Sequence, residues 1–261
     1  MFLVNAVFVT RLPKASHDER TPEERKLEIP GPGPMRNVGW LLTTFFTGVF
    51  WTNQVLLNIV IPLWLVQETD APHVLLAFLF GTNTVMCIFL PMAASRGVHD
   101  VPTALRAVRV SSTFFVISCL ITLFTHDTVG WVTIALVWLG HVTVTGAELY
   151  LSAASWAFEA ELMDPRRRGA YQGAAGLTST LGKVWAPAVF TFLAMNWGAA
   201  GWLVIAGTVV IATVAIHPST RLARRFLEEH VPADVLADAR ASTHDETEET
   251  VPAGPPSLIA E

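Results

Sequence analysis

Charge and cysteine are both scarce in this 261-residue chain: only 15% of residues are Asp, Glu, Lys or Arg, and only Cys87 and Cys119 carry a thiol. So little charge, beside a hydrophobic share of 52% and nine tryptophans, excludes an ordinary soluble domain with a solvated surface. The two cysteines fall inside apolar stretches with no His or carboxylate at metal-ligand spacing. That excludes a disulfide scaffold, a zinc site and a cysteine nucleophile, and leaves packing as their role. No Lys/Arg stripe alternates with aromatics, which sets aside nucleic acid as a partner, and no cofactor is called for. A secretory signal is missing too, because Arg11 and Lys14 follow the apolar run Met1 to Thr10 instead of preceding it. The net charge of -5 says little about partners, since much of the acid is gathered between Glu228 and Glu261.

What the chain has in abundance is long apolar runs. Six are of the length that crosses about 30 Å of hydrocarbon as a helix of about 20 residues. They are Val38 to Val66, His73 to Ala94, Val108 to Thr125, Trp131 to Ser155, Ala170 to Ala194 and Gly198 to Ile216. The turn signal Asn196-Trp197-Gly198 divides the last two. Backbone amides in lipid need internal partners, and uninterrupted apolar runs do not fit the period-two pattern of a barrel. The fold class is therefore all-α, a polytopic bundle of six transmembrane helices with the lipid bilayer as its solvent.

Basic residues set the orientation. They cluster before the first span (Arg11, Lys14, Arg20, Arg25, Lys26, Arg36), after the second (Arg96, Arg106, Arg109), after the fourth (Arg166, Arg167, Arg168) and after the sixth (Arg221, Arg224, Arg225, Arg240). The other three connections have no Lys or Arg. The single exception to this alternation is Lys183, inside the fifth span. Both termini are thus expected in the cytoplasm of a multi-pass plasma-membrane protein. Residues 11–37, with Pro30-Gly31-Pro32-Gly33-Pro34, read as a cytoplasmic linker, residues 38–217 as the bundle, and residues 218–261 as a cytoplasmic tail that is disordered after about residue 230.

Polar residues mark the middle of four spans. Asn53 and Gln54 sit at the centre of the first, where Thr47, Trp51, Gln54 and Asn58 recur on one face. Asn83 sits at the centre of the second. The fourth carries Trp138, His141, Thr145, Glu148 and Ser152 on one stripe, and the fifth Gln172, Gly176, Thr180 and Lys183. The third and sixth have only scattered Ser and Thr, able to bond their own carbonyls, and are expected on the outside while the first, second, fourth and fifth line an aqueous path. A single Asn or Thr can serve simply as glue between helices. A charge at mid-span is costlier, at roughly 2.5 to 3.5 kcal/mol for residues such as Lys, and by default marks a pathway. Lys183 and His141 lie at nearly equal depth with Glu148 about two turns further in, so a contact of Lys183 with Glu148 or His141 is one hypothesis and a structural ion pair its bland counterpart. Pro62, Pro91 and Pro187 each remove a helical hydrogen bond.

The connection between the fourth and fifth spans reads Glu161-Leu-Met-Asp-Pro-Arg-Arg-Arg168-Gly, a carboxylate followed after six residues by Arg-Gly and a small-residue run. It resembles the major facilitator superfamily. The segment from Ala94 to Asp100 stands where that family has a loop motif, with Arg96 and Asp100 present but without the usual Gly-rich basic sequence. The likeness covers about residues 37–217 and is to the C-terminal six-helix half of such a transporter, in particular a bacterial multidrug-efflux type. It implies that Met1 to Thr10 is the end of a preceding transmembrane helix. It further implies that Glu161, Arg168 and Asp100 form a cytoplasmic gating motif, and that the partners are a small amphipathic substrate and a missing N-terminal half or a second copy. Asn53, Gln54, Asn83, His141, Glu148 and Lys183 are the candidates for the substrate and proton pathway. Glu148 or His141 would be the proton-linked group, and Lys183 would hold an anionic moiety or tune Glu148. The rival readings are a membrane protein without transport activity of its own and a six-span membrane enzyme. The enzyme is disfavoured because no Ser-His-Asp or metal-ligand spacing appears.

Overall fold

The computed structural model describes residues 32–125 and 128–237. The chain divides into two compact units, Met1–Gly31 and Pro32–Glu261, and every described residue belongs to the second. The expectations for residues 1–31 and for the tail beyond residue 237 lie outside the described residues.

All regular structure among the described residues is helical. The first span runs over Val38–Glu68 in pieces: α1 (Val38–Phe50), the short α2 (Asn53–Val55), a π-helical turn over Leu56–Val60, and α3 (Ile61–Glu68). Pro62 explains the π turn, since it has no N–H to offer the carbonyl of Asn58 and the helix widens one turn before it. The second span is α4 (Leu75–Phe89) followed, across the break before Pro91, by α5 (Pro91–Ser95). The third and fourth are unbroken: α6 (Val101–Phe124) and α7 (Trp131–Leu162). The fifth begins as α8 (Arg168–Lys183) and ends abruptly, because Pro187 cannot donate to the carbonyl of Lys183. The chain resumes as α9 (Ala186–His230).

Together with Pro165–Arg167, α8 and α9 make a 66-residue helical run, about three times what a bilayer needs. It is folded back at Gly198, whose φ of 49° and ψ of -124° are open to glycine and strained for other residues. A Cβ on Gly201 would collide with the carbonyl of Leu193. Residues eight apart on a straight helix lie about 12 Å from each other, so this collision marks a hairpin. The expected turn at residues 196–198 is therefore present, and the long run supplies two crossings.

Three boundaries differ from expectation. α6 starts at Val101 instead of Val108, because Asp100 caps it: its side chain accepts the Thr103 N–H at 2.8 Å, and the Thr103 hydroxyl bonds back. Arg106 and Arg109 are thus helical. α7 continues to Leu162, two turns beyond Ser155. α9 continues to His230, with Arg224 paired to Glu228 at 2.9 Å on its exposed face.

Packing follows small residues. Gly48 of α1 and Gly182 of α8 let the first and fifth spans meet backbone to backbone, since a Cβ at Gly48 would strike the Ser179 carbonyl and one at Gly182 the Phe45 carbonyl. At the motif-bearing end, Trp40 Nε1 donates to the Tyr171 carbonyl at 3.1 Å and Asn37 caps α1 through the Trp40 N–H at 3.0 Å. Trp40, Tyr171 and Asn37 are all fully buried. α6 lies along α7 and α9. Here the expectation for the third span needs correcting. Its serines do not merely bond their own carbonyls: Ser111 donates to Ala147 and Ser118 to Gly140 of α7, each at 2.7 Å, and Thr213 of α9 donates to Ser112 at 2.8 Å. The least covered helices are instead α4, where only Leu75 and Leu79 are buried, and α8, where only Tyr171, Ala174 and Gly182 are.

Candidate functional site

The polar stripe of α7 meets the first, second and fifth spans along two adjoining grooves. A helical stripe with steps of three and four keeps Glu148, Ser152, Ser155 and Glu159 on one face. The first groove, about 400 Å³, is lined by Glu148, Ser152 and Trp156 of α7, by Trp51 at the break in the first span, and by Cys87 and Met92 on either side of the break in the second. The second, about 300 Å³, is lined by Ser155 and Glu159 of α7, Thr44 and Thr47 of α1, Trp51 again, and Gln172, Gly176 and Ser179 of α8. Trp51 is the wall common to both.

Glu148 is the most constrained group here. Its polar neighbours are the side chains of Asn83 from α4 and Gln54 from α2, and its Oε2 is buried without a bond of its own. These neighbours are themselves held. Asn58 donates to Gln54 Oε1 at 3.0 Å, so the Gln54 amide nitrogen is free to point to the carboxylate, while Asn83 Nδ2 donates to Thr145 Oγ1 at 3.1 Å. Thr145 in turn donates to the His141 carbonyl at 2.9 Å. The result is a short polar chain across three spans, centred on one carboxylate.

The remaining candidates separate from it. His141 is 1% exposed, packed edge-on to Phe80 with centroids 6.4 Å apart. The Leu79 backbone is its polar neighbour, but neither ring nitrogen makes a bond of proper geometry. It lines neither groove. Asn53 is likewise 1% exposed, with both amide atoms unpartnered. Lys183 is exposed at the end of α8 and forms no ion pair with a described residue. The hypothesised contacts of Lys183 with Glu148 and His141 are not made, because Gly182, its neighbour in sequence, is the residue turned into α1.

In the expected cytoplasmic motif, Asp100 is the cap of α6. Its hydrogen bond from the Thr103 side chain holds its carboxyl below the usual range, helped by the Thr103 N–H and the charges of His99 and Arg106 and opposed by partial burial. Glu161 closes the last turn of α7 and Arg168 opens α8, where it is exposed. Buried Asp164 pairs with Arg166 at this corner, at 3.0 Å. Asp164 also accepts the Arg166 N–H, so it fixes the turn between the spans.

Among the groove residues not singled out from the sequence as site candidates are Glu159, Trp156 and Cys87. Glu159 lay beyond the expected end of the fourth span, although the three-and-four spacing of the stripe continues through Ser155 to reach it. Trp156 adjoins it. Cys87, read as a packing residue, lines the Glu148 groove, whereas Cys119 is fully buried as expected.

Four helical runs among the described residues are long and apolar enough to cross a membrane by length and composition, and Leu75–Phe89 is a shorter apolar helix. The family model of the Major Facilitator Superfamily matches residues 1–187. Neither a curated protein nor a solved structure gives a significant match. A bundle of apolar helices with polar mid-span faces and this family match agree with one another: the chain is a multi-pass membrane protein of the secondary-transporter class, whose cargo is small molecules, and it belongs to the Major Facilitator Superfamily.

Proposed function

We propose that this chain is the C-terminal six-helix half of a proton-coupled exporter in the plasma membrane, with both termini cytoplasmic and Glu148 as the proton-linked group. The observation that carries the reading is the Glu148 carboxylate, set mid-span between the amides of Asn83 and Gln54 with one oxygen buried and unpartnered beside a groove. A carboxylate so placed changes its interactions with every protonation, and it is fed by helices broken at Trp51, Leu90 and Val184, which lets one side of the bundle shift against the other. His141, sealed against Phe80 and away from both grooves, is the weaker choice.

The half-transporter reading draws support from what is left uncovered. α4 exposes Phe78, Val85, Ile88 and Phe89, and α8 exposes Leu177 and Leu181. A Cβ at Gly169, Gly173 or Gly176 would meet nothing within 4 Å. A second six-helix unit, either the N-terminal half or a second copy, would close the grooves over these faces. The test is transport in inverted vesicles from cells producing the chain together with that half. A small-molecule efflux substrate should release protons from a preformed gradient, and Glu148→Gln should abolish the release while the protein still inserts. Gradient-dependent transport that survives Glu148→Gln would sink the coupling role.

A further inference from the structure

We propose that the seam between α6 and α9, on the lipid-facing flank of the bundle, holds the headgroup of an anionic phospholipid, with Arg106 and Arg109 of α6 and Arg221 of α9 gripping its phosphate. The site goes beyond the transport reading and needs only that the chain sit in a bilayer. The orientation proposed above decides which leaflet supplies the lipid, and makes it the cytoplasmic one.

As third and sixth spans, α6 and α9 cross the bilayer in opposite directions. They lie side by side and are tied by the Thr213 hydroxyl, which donates to Ser112 at 2.8 Å, so these two residues share one depth. Each helix also keeps an exposed greasy stripe, with Val110, Ile117 and Phe124 on α6 and Leu203, Ile211 and Val214 on α9. At about 100° per residue, Arg109 and Arg106 stand about 60° and 120° around α6 from Ser112, and Arg221 about 80° around α9 from Thr213. In antiparallel helices, turns of the same sense from the point of contact lead to the same flank of the pair. All three arginines therefore continue the greasy stripes on one side. At 1.5 Å per residue they lie about 4.5, 9 and 12 Å from the Ser112 level, in the order Arg109, Arg106, Arg221. That spread of about 8 Å is close to the headgroup layer of one leaflet, about 5 to 7 Å, and long Arg side chains adjust the remainder.

The charge at the seam is uncompensated. Arg106, Arg109 and Arg221 are exposed, and none of them is held in an ion pair among the described residues. The carboxylates of the two helix ends are engaged or remote. Asp100 caps α6 through Thr103, and Arg106 is the weakest of the influences on its carboxyl. Glu228 pairs with Arg224 at 2.9 Å, and Glu229, eight residues past Arg221, lies about 12 Å farther along α9. Guanidinium groups bind phosphate oxygens two at a time, in a geometry that an ammonium group cannot match. A phosphate between the two helices would place its acyl chains along the greasy stripes above it. The seam thus suits a ligand with one anionic and one apolar part, and a free phosphate would leave the stripes unused.

The test counts, by native mass spectrometry, the lipids that the purified full chain retains from equal amounts of dioleoyl phosphatidylglycerol and dioleoyl phosphatidylcholine. Phosphatidylglycerol should be retained in preference. Arg106→Gln, Arg109→Gln and Arg221→Gln should each weaken its binding roughly fivefold, the size of one basic residue at a charged membrane surface, and leave phosphatidylcholine unaffected. Arg36→Gln removes the same charge at the same end of the bundle, but beside α1, which meets α9 through Ala223: a Cβ on Gly39 would strike the Ala223 backbone. Ala223 stands about 160° around α9 from Arg221, so Arg36→Gln should leave the preference intact. Thermal unfolding in phosphatidylcholine should be the same for all these variants, because the replaced side chains are exposed. Phosphatidylglycerol should then raise Tm in wild type and in Arg36→Gln, and far less in the Arg109→Gln/Arg221→Gln double variant. A preference that survives the double substitution, or that Arg36→Gln lowers as much as Arg109→Gln does, overturns the site, since net charge alone would then explain it. Displacement of the lipid by inorganic phosphate at matched ionic strength overturns the lipid as occupant in favour of a free anion.

Discussion

Replacing Glu148 by Gln should strengthen the fold while it removes the function. The side chain lies mid-span in α7 and its Oε2 is buried with no hydrogen bond, while Asn83 and Gln54 serve the rest of the group. No described basic residue shares its groove. Leaving a buried polar atom unpaired costs about 1 to 3 kcal/mol, and more when it is charged. Gln has nearly the same shape and puts an uncharged Nε2 or oxygen where the unpartnered Oε2 stood, so only the extra cost of charge is relieved and a stabilisation of about 1 kcal/mol is expected. For a chain of this size that corresponds to about 2 to 4 °C in Tm per kcal/mol. The assay is thermal unfolding of the detergent-solubilised protein followed by tryptophan fluorescence, wild type beside Glu148→Gln and Gln54→Leu. Gln54→Leu should be destabilising, because it strips Glu148 of a polar neighbour and Asn58 of a side-chain acceptor. If Glu148→Gln lowers Tm as much as Gln54→Leu does, the carboxylate is a structural tie and not a strained functional group, and the reasoning fails. A functional residue held at a cost in stability is the expected pattern for an active protein.

Gly182→Val should drive α8 off α1, since its Cβ would meet the Phe45 carbonyl; overpacking of this kind costs about 1 to 3 kcal/mol or more, read as a lowered Tm and loss of ligand binding in the second groove. Asp100→Ala should cost about 0.5 to 2 kcal/mol through loss of the α6 cap, and Asp100→Asn only a fraction of that. The same cap makes stability pH-dependent with a defined sign. The Asp100 carboxyl is held below its unfolded value by Thr103, so its contribution is present above that unfolded value and fades as acidification passes through the lowered folded one; wild type should lose this increment on acid titration and Asp100→Asn should not. Ser118→Ala removes one hydrogen bond between α6 and α7, for which a stability loss of about 0.6 kcal/mol is expected, read as a lowered chemical-denaturation midpoint. Lys183→Met should leave binding in both grooves unchanged, because Lys183 lines neither.

The sequence by itself determined that this is a helical membrane protein, because apolar run length and the placement of Lys and Arg answer directly to lipid thickness and charge. It also located the hairpin at residues 196–198 and the helix breaks before Pro91 and Pro187, since Gly and Pro act through their own backbone chemistry. The stripe on α7 was legible for the same reason, as periodicity alone sets which residues share a face. Partnership was not legible. Depth along a helix suggested that Lys183 could meet Glu148, but rotation about the helix axis decides contact, and that is set by Gly182 and Gly48 pressing α8 onto α1. Only the tertiary structure could show that Glu148 is served by Asn83 and Gln54, that His141 faces Phe80, and that Trp51 divides two grooves, because each of these joins residues from different spans through packing that no single segment encodes.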